Sequence, residues 1–225
     1  MLLFDKRIRA GRDLMERYGV DLLAGIPDMY RRSRSERRML AKKRLYYERD
    51  RRPRKKGGVR AGEDRYVISE DTNPVVVEAY RTLRSSLRFA MRKTGNNVIV
   101  VTSAVPSEGK STVCANLAII AAGEGRRVLL IDGDLRKPKQ ARQLGLTTLT
   151  GGLSSVLQGT DSFERAVRCN VRYGLDVLPS EVVPPNPSEL LNSAEMKNLI
   201  KKLRTEYDLV IIDTPPINVV NDAFA

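Results

Sequence analysis

Residues 98–112 read Val-Ile-Val-Val-Thr-Ser-Ala-Val-Pro-Ser-Glu-Gly-Lys-Ser-Thr. A β-branched run falls into a loop of small residues, and Gly109-Lys110-Ser111-Thr112 opens a stretch of helical composition. No other feature restricts the fold as much. A strand, loop and helix in this order gathers successive backbone N–H groups and a helix N-terminus around one point, which suits a phosphate. In that layout Ser107, Glu108 and Gly109 line the phosphates, Lys110 neutralises charge, and the hydroxyls of Ser111 and Thr112 stand close to the phosphates and their Mg²⁺. The strict form of the pattern has glycine where this chain has Ala104.

Two later apolar runs, 127–131 and 207–212, each deliver a carboxylate at their C-terminal end: Asp132 and then Asp134 after the first, Asp213 after the second. Strand, a helix of a dozen residues ending near Gly123 and Gly125, then strand is a βαβ unit, so these strands are parallel. In open parallel sheets ligands bind at the carboxyl ends of the strands. Lys110, Ser111, Asp132, Asp134 and Asp213 converge there from three strands, and Arg136 follows closely. Phosphoryl transfer needs such a set, because it is mostly positioning and charge neutralisation around a metal held on the β- and γ-oxygens. Ser111, Asp134 and Asp213 are the candidate Mg²⁺ ligands. Asp132 is a candidate for taking a proton from an incoming hydroxyl, and spacing does not separate it from Asp134 in that role.

The remaining elements follow from composition and periodicity. A helix is predicted over 75–92, with Glu78, Arg81 and Arg84 close to one face. Short helices and turns are expected over 139–172, a third strand over 174–178, and a helix from an N-cap at Ser188 to about Thr205. The chain stops soon after Pro216, which leaves few elements to complete the sheet. The fold class is therefore α/β, a parallel sheet flanked by helices and incomplete at its C-terminus.

Charge divides the chain in two. Residues 1–67 hold 21 Lys and Arg against 10 Asp and Glu, whereas 68–225 hold 19 against 17. The net charge of +13 therefore belongs to an N-terminal segment, and the phosphate-binding domain occupies 68–225. Within the first part, 1–27 contains a short amphipathic helix around Leu14 and Met15 that breaks at Gly19, 20–27 reads as a strand-like run closed by a turn, and 61–74 reads as a linker. Residues 30–60 carry 15 bases and three acids, the composition of a solvated tether or of a segment that meets anionic lipid head groups. Nothing in it resembles a nucleic-acid-binding fold. The sequence has no histidine, which excludes histidine metal ligation and acid–base chemistry, and Cys114 and Cys169 have the spacing of buried small hydrophobes rather than metal ligands. No run approaches the length of a membrane span, so a cytoplasmic location is expected.

Taken together, 104–111, the motif Leu129-Leu-Ile-Asp132-Gly-Asp134-Leu-Arg136-Lys-Pro and the motif Val210-Ile-Ile-Asp213-Thr-Pro-Pro resemble the Walker A, A′ and B motifs of bacterial tyrosine kinases, in particular the CpsD/CapB-like autokinases of capsule and exopolysaccharide synthesis. Glu78-Ala-Tyr-Arg81-Thr-Leu-Arg84 is similar to the E-x-x-R-x-x-R helix that packs against neighbouring subunits in a ring in that family. The stretch 13–27 resembles the cytoplasmic tail of the Wzz-like chain-length-determinant activator, which in some members is fused to the kinase. The resemblance implies ATP with Mg²⁺ as cofactors, trans-autophosphorylation on tyrosine, a transmembrane activator as partner, and residence at the inner face of the plasma membrane. The family's acceptors lie in a C-terminal tyrosine cluster that these 225 residues do not contain, which leaves Tyr46 and Tyr47 as substitute candidates. A P-loop ATPase of the partition/MinD type is the alternative, although its additional lysine, five residues before Lys110, is replaced by Val105. A non-catalytic fragment that only assembles is the third reading.

Overall fold

The computed structural model describes residues 11–27, 67–69, 72–146, 151–181 and 183–217. Its centre is a five-stranded sheet of β1 (Val98–Val101), β2 (Val128–Asp132), β3 (Arg168–Arg172), β4 (Leu175–Leu178) and β5 (Leu209–Asp213), in the order β1-β5-β2-β4-β3. Pairing is parallel except between β3 and β4. The central strands β2 and β5 are buried at every position, which is why they read as continuous apolar runs rather than alternating ones. Side chains still alternate between the faces. Val128, Leu130, Leu209 and Ile211 pack into one core cluster, and Leu129, Ile131, Val210 and Ile212 into the other.

The first face is covered by α2 (Pro74–Thr94) and α3 (Lys110–Ala122). The α3 sequence is apolar around its whole circumference, as a helix sandwiched between a sheet and a second helix must be. Its single interior polar side chain, Asn116, is fully buried; its amide donates to Tyr80 on α2 at 3.2 Å and its carbonyl accepts from Ile68 N–H at 2.8 Å. The other face carries α5 (Leu153–Leu157), α6 (Phe163–Ala166), α7 (Pro187–Leu191) and α8 (Ala194–Glu206). Of the remaining helices, α1 (Gly11–Tyr18) lies in the N-terminal segment and α4 (Gln140–Gln143) follows β2. No helix among the described residues is long and apolar enough to cross a membrane.

Several expectations need correction. The helix predicted over 75–92 extends to Pro74–Thr94, capped by the Asn73 side chain at one end and by left-handed Gly95 at the other. The supposed linker over 61–74 instead buries Val67 and Ile68 in the core. Residues 20–27 form no strand; they are held to α2 by Ser86 Oγ donating to Leu23 O at 2.9 Å and by Ile26 packing on the core. The helix expected from Ser188 to Thr205 is two helices broken at Asn192 and Ser193, and Ser193 caps the second by accepting from Met196 N–H at 3.2 Å. Both residues offer the backbone side-chain partners that compete with helix continuation. Strand β3 lay in a region expected to hold only helices and turns. Its Arg-Cys-Asn-Val-Arg sequence lacks a buried face because it is the sheet's edge, and Cys169 on it is exposed, unlike buried Cys114. The basic segment 30–60, with Tyr46 and Tyr47, and the terminal residues 218–225 lie outside the described residues.

Candidate active site

The loop between β1 and α3 is closed by its own side chains. Glu108 Oε2 accepts from the N–H groups of Ala104 and Val105 at 2.9 and 3.2 Å, and Ser103 Oγ donates to Val105 O at 2.9 Å. Ser107 and Gly109 both adopt left-handed backbone angles, with φ of 69° and 89°. For Gly109 that is conformationally cheap. For Ser107 it costs roughly 1–2 kcal/mol, a strain held by the loop's hydrogen bonds. Consecutive turns of this kind aim N–H groups inward and form an anion nest ahead of the α3 N-terminus.

Lys110, the first residue of α3, sends its ammonium to the carboxyl end of the sheet. Nζ donates to Asp213 Oδ1 at 3.1 Å, to Asp134 Oδ2 at 3.3 Å and to Ser111 Oγ at 3.3 Å. Burial pulls the lysine pKa down, but the charges of Asp213 and then Asp134 outweigh it, and the net shift is upward. The ammonium is thus locked in its charged form by carboxylates from two different strands.

The register of the sheet explains this convergence. Asp132 pairs directly with Asp213 across β2 and β5, so both carboxylates project from the same face toward α3. Gly133 lets the two strand ends meet: its N–H donates to Asp213 O at 2.7 Å, and a Cβ there would lie 2.9 Å from that oxygen. Asp132 is fully buried. Its Oδ2 accepts from the N–H groups of Lys139 and Gln140 at 2.9 Å each, while Oδ1 has no hydrogen-bond partner. Burial, reinforced by Asp213, pushes its pKa up to about 7 against the pull of those two N–H groups.

Gln140 was not among the residues that sequence reasoning selected. It is fully buried, and its amide donates to Asp213 Oδ2 at 2.8 Å and to Ser111 O at 3.1 Å. One side chain therefore joins the P-loop helix to the carboxylate of β5, and its own N–H holds the carboxylate of β2. Gln143, one turn along α4, donates to Thr112 Oγ1 at 3.1 Å. No motif marked either glutamine. The only available signal was their position just after a charged strand end.

A cleft of about 380 Å³ opens over these groups. Ser107, Gly109, Lys110, Ser111, Thr112, Asp134 and Arg136 line it, and Pro215 and Pro216 form part of its wall. Arg136 also donates to Ser188 Oγ at 2.9 Å. Three predicted residues are not on the lining. Glu108 has turned to the loop's own amides, Asp132 lies beneath the surface, and Asp213 reaches the cleft only through Lys110. Among the described residues no cluster of three carboxylate, histidine or cysteine side chains forms a self-sufficient metal cage. One hydroxyl with two carboxylates beside an anion nest fits Mg²⁺, which keeps waters and takes substrate phosphate oxygens as ligands.

The face predicted for Glu78, Arg81 and Arg84 is divided. Glu78 and Arg81 form an exposed ion pair at 3.3 Å. Arg84 turns inward instead and binds Glu124 at 2.7 Å and Ile120 O at 3.2 Å near the end of α3. Six residues advance a helix by about 240°, so Arg84 cannot share the face of Glu78.

A family model described as an AAA domain matches residues 96–223. Tyrosine-protein kinase YwqD of Bacillus subtilis is 49% identical over 146 residues, covering 65% of this chain and 61% of that protein. Tyrosine-protein kinase wzc of Salmonella typhimurium is 36% identical over 222 residues, covering 98% of this chain and 28% of that protein. The chain therefore spans between about a quarter and three-fifths of these curated relatives. Among solved structures, the kinase domain of Escherichia coli tyrosine kinase ETK matches with a TM-score of 0.74 and 33% identity, covering 96% of this chain and 77% of that one.

Proposed function

Because this chain belongs to the bacterial tyrosine kinases, we propose that it is an ATP-dependent protein-tyrosine kinase acting in capsular or exopolysaccharide synthesis and export. The observation that carries the reading is the clasp of Lys110 by Ser111, Asp134 and Asp213, which brings three separate motifs to one point. The polysaccharide role rests on the sequence resemblance alone.

In this reading the nest of Ser107 and Gly109 and the α3 N-terminus hold the phosphates of ATP, with Thr112 and Arg136 beside them. Ser111, Asp134 and Asp213 would hold Mg²⁺, which supplies charge neutralisation on the phosphate oxygens. Lys110 contributes a fixed positive charge at the same point. Asp132 has a pKa near the operating pH of a general base, but it lies below the cleft surface. Asp134 is the carboxylate on the cleft wall, and its oxygens are taken by Lys110 and by the Lys137 N–H. Gln140 keeps Asp213 in one orientation, with Oδ2 turned to the glutamine and Oδ1 to Lys110.

Self-association into a ring is part of the proposal, with Glu78 and Arg81 as the exposed pair available to a neighbouring subunit and Arg84 acting from within. The basic segment 30–60 is proposed to meet the anionic inner face of the membrane, close to a Wzz-like activator. Vesicle binding by the full chain should fall steeply with added salt. Purified chain incubated with Mg²⁺ and ATP should acquire phosphotyrosine, and Lys110→Met should abolish it. ATP hydrolysis without tyrosine label would favour a partition-type ATPase, and label that survives Lys110→Met would overturn the site assignment.

A further inference from the structure

We propose that the acceptor for this site is a tyrosine flanked by carboxylates, selected by a positive strip at the cleft mouth formed by Arg136, Lys137, Lys139 and Arg142. The inference rests on the kinase reading and names the class of acceptor within it.

The strip is continuous in sequence. Residues 136–142 read Arg-Lys-Pro-Lys-Gln-Ala-Arg, four cations in seven positions with no acid among them. All four line the cleft, and with Lys110 they set five cations against one lining carboxylate, Asp134. That carboxylate is already engaged, by Lys110 and by Lys137 N–H at 3.0 Å, and Lys110 in turn is matched by Asp134 and Asp213. Arg136 is bonded to Ser188 and stands beside the phosphates in the kinase reading, so the positive charge offered to an acceptor is centred on Lys137 and Lys139. An incoming segment of negative charge is attracted to it and a basic one repelled. Pro106, Pro215 and Pro216 are in the same lining and offer apolar surface against which an aromatic ring can pack. Prolines and cations in one lining together fit a tyrosine ring with acidic neighbours.

The chain's own eight tyrosines fail this rule. Tyr18, Tyr30, Tyr66 and Tyr173 each have an arginine directly beside them (Arg17, Arg31, Arg65 and Arg172), and the nearest acids, Glu16, Asp28, Asp64 and Asp176, stand two or three residues away. Tyr46 and Tyr47 are followed by Glu48, Arg49 and Asp50 but preceded by Lys42, Lys43 and Arg44. Tyr80 is buried. Tyr207 alone has an acid on each side, Glu206 and Asp208, but its hydroxyl donates to Asp176 at 2.9 Å and its ring packs on the core. The acceptor is therefore none of these eight. Tyr46 and Tyr47, the substitutes considered from sequence, have acids on one side only, with Lys42, Lys43 and Arg44 on the other.

The test uses the full chain with three synthetic peptides, each with one tyrosine flanked on both sides by two Glu, two Gln or two Arg. Binding is read by fluorescence anisotropy with Mg²⁺ and ADP present, and transfer by label from Mg²⁺ and ATP. The Glu peptide should exceed the Arg peptide by about tenfold or more in both readouts, and the difference should collapse at high salt. In the double variant Lys137→Glu, Arg142→Glu the order should invert, a ratio that is independent of any change in nucleotide affinity. Equal binding and equal label for the three peptides would overturn the acceptor class while leaving the kinase reading intact. Glu-selective binding with no transfer to any peptide would overturn the kinase reading and leave the strip as an acidic-peptide site. Label mapped by mass spectrometry to Tyr46, Tyr47 or Tyr173 would overturn the proposal directly.

Discussion

Replacing Gln140 by Met tests whether this glutamine positions the site or merely fills space. Methionine nearly matches its volume and retains the backbone N–H that donates to Asp132, so packing and that contact survive. Two donated bonds disappear, one of them to the carboxylate Oδ2 of Asp213, which then lies buried with its partner removed. A lost hydrogen bond to a buried charged group, partly offset because Gln140 Oε1 has no partner to lose, amounts to about 2–3 kcal/mol. With a urea slope near 2 kcal/mol/M, the unfolding midpoint should fall by about 1 M. Freed on one side, Asp213 can rotate away from Lys110, and the Mg²⁺ dependence of nucleotide binding, followed by calorimetry, should weaken by about tenfold. Gln140→Glu adds a readout that a purely structural role would not move. It puts a second carboxylate against Asp213, so it should cost more stability than the Met variant, which a loss of packing alone would not produce. A Met variant within about 0.5 kcal/mol of wild type, with unchanged Mg²⁺ dependence, would refute the reasoning.

Three further outcomes are expected. Asp132 has a folded-state pKa raised to about 7 from an unfolded value of 3.8, so its stabilising contribution is complete below the unfolded value and lost as pH rises through 7. Asp132→Asn should therefore gain stability relative to wild type between pH 5 and pH 8 in chelator-treated urea titrations, and a gap constant over that window would count against the raised pKa. Arg84→Ala should cost about 1–3 kcal/mol through its buried links to Glu124 and Ile120, whereas Arg81→Ala should cost under about 0.5 kcal/mol yet weaken self-association in sedimentation, and the reverse ranking would contradict the division of the helix face. Gly133→Ala would drive a methyl group against Asp213 O, and thermal melts should show a loss of about 1–3 kcal/mol. A melt identical to wild type would mean that the strand ends do not meet there.

The strand ends were legible because burial on both faces forces uninterrupted apolar runs, and a charged residue at the end of such a run has few structural reasons to be there. That pattern located Asp132, Asp134 and Asp213, and the small-residue loop located Lys110 and Ser111. The order of the strands was not legible, since β5, last in the chain, inserts between β1 and β2. Strand β3 escaped because an exposed edge carries no apolar alternation. Gln140 escaped because its function lies in three contacts distant in sequence, to Ser111, Asp132 and Asp213, and glutamine at a helix start carries no periodic signature. The pairing of Glu78 with Arg84 misread helical phase, since i and i+6 diverge where i and i+3 or i+4 coincide.

The clasp on Lys110 has a consequence for the order in which ions arrive. Its ammonium already satisfies the same oxygens that a divalent cation would use. On the proposed Mg²⁺ set, loading would be an ion exchange rather than a simple addition. A metal arriving alone must compete with a tethered resident cation whose local concentration no bulk salt can match, and it gains no new home for the displaced charge. Phosphates arriving with it supply that home. With Mg²⁺ held as proposed, the site would respond to metal and phosphate together, through one lysine held between two strands.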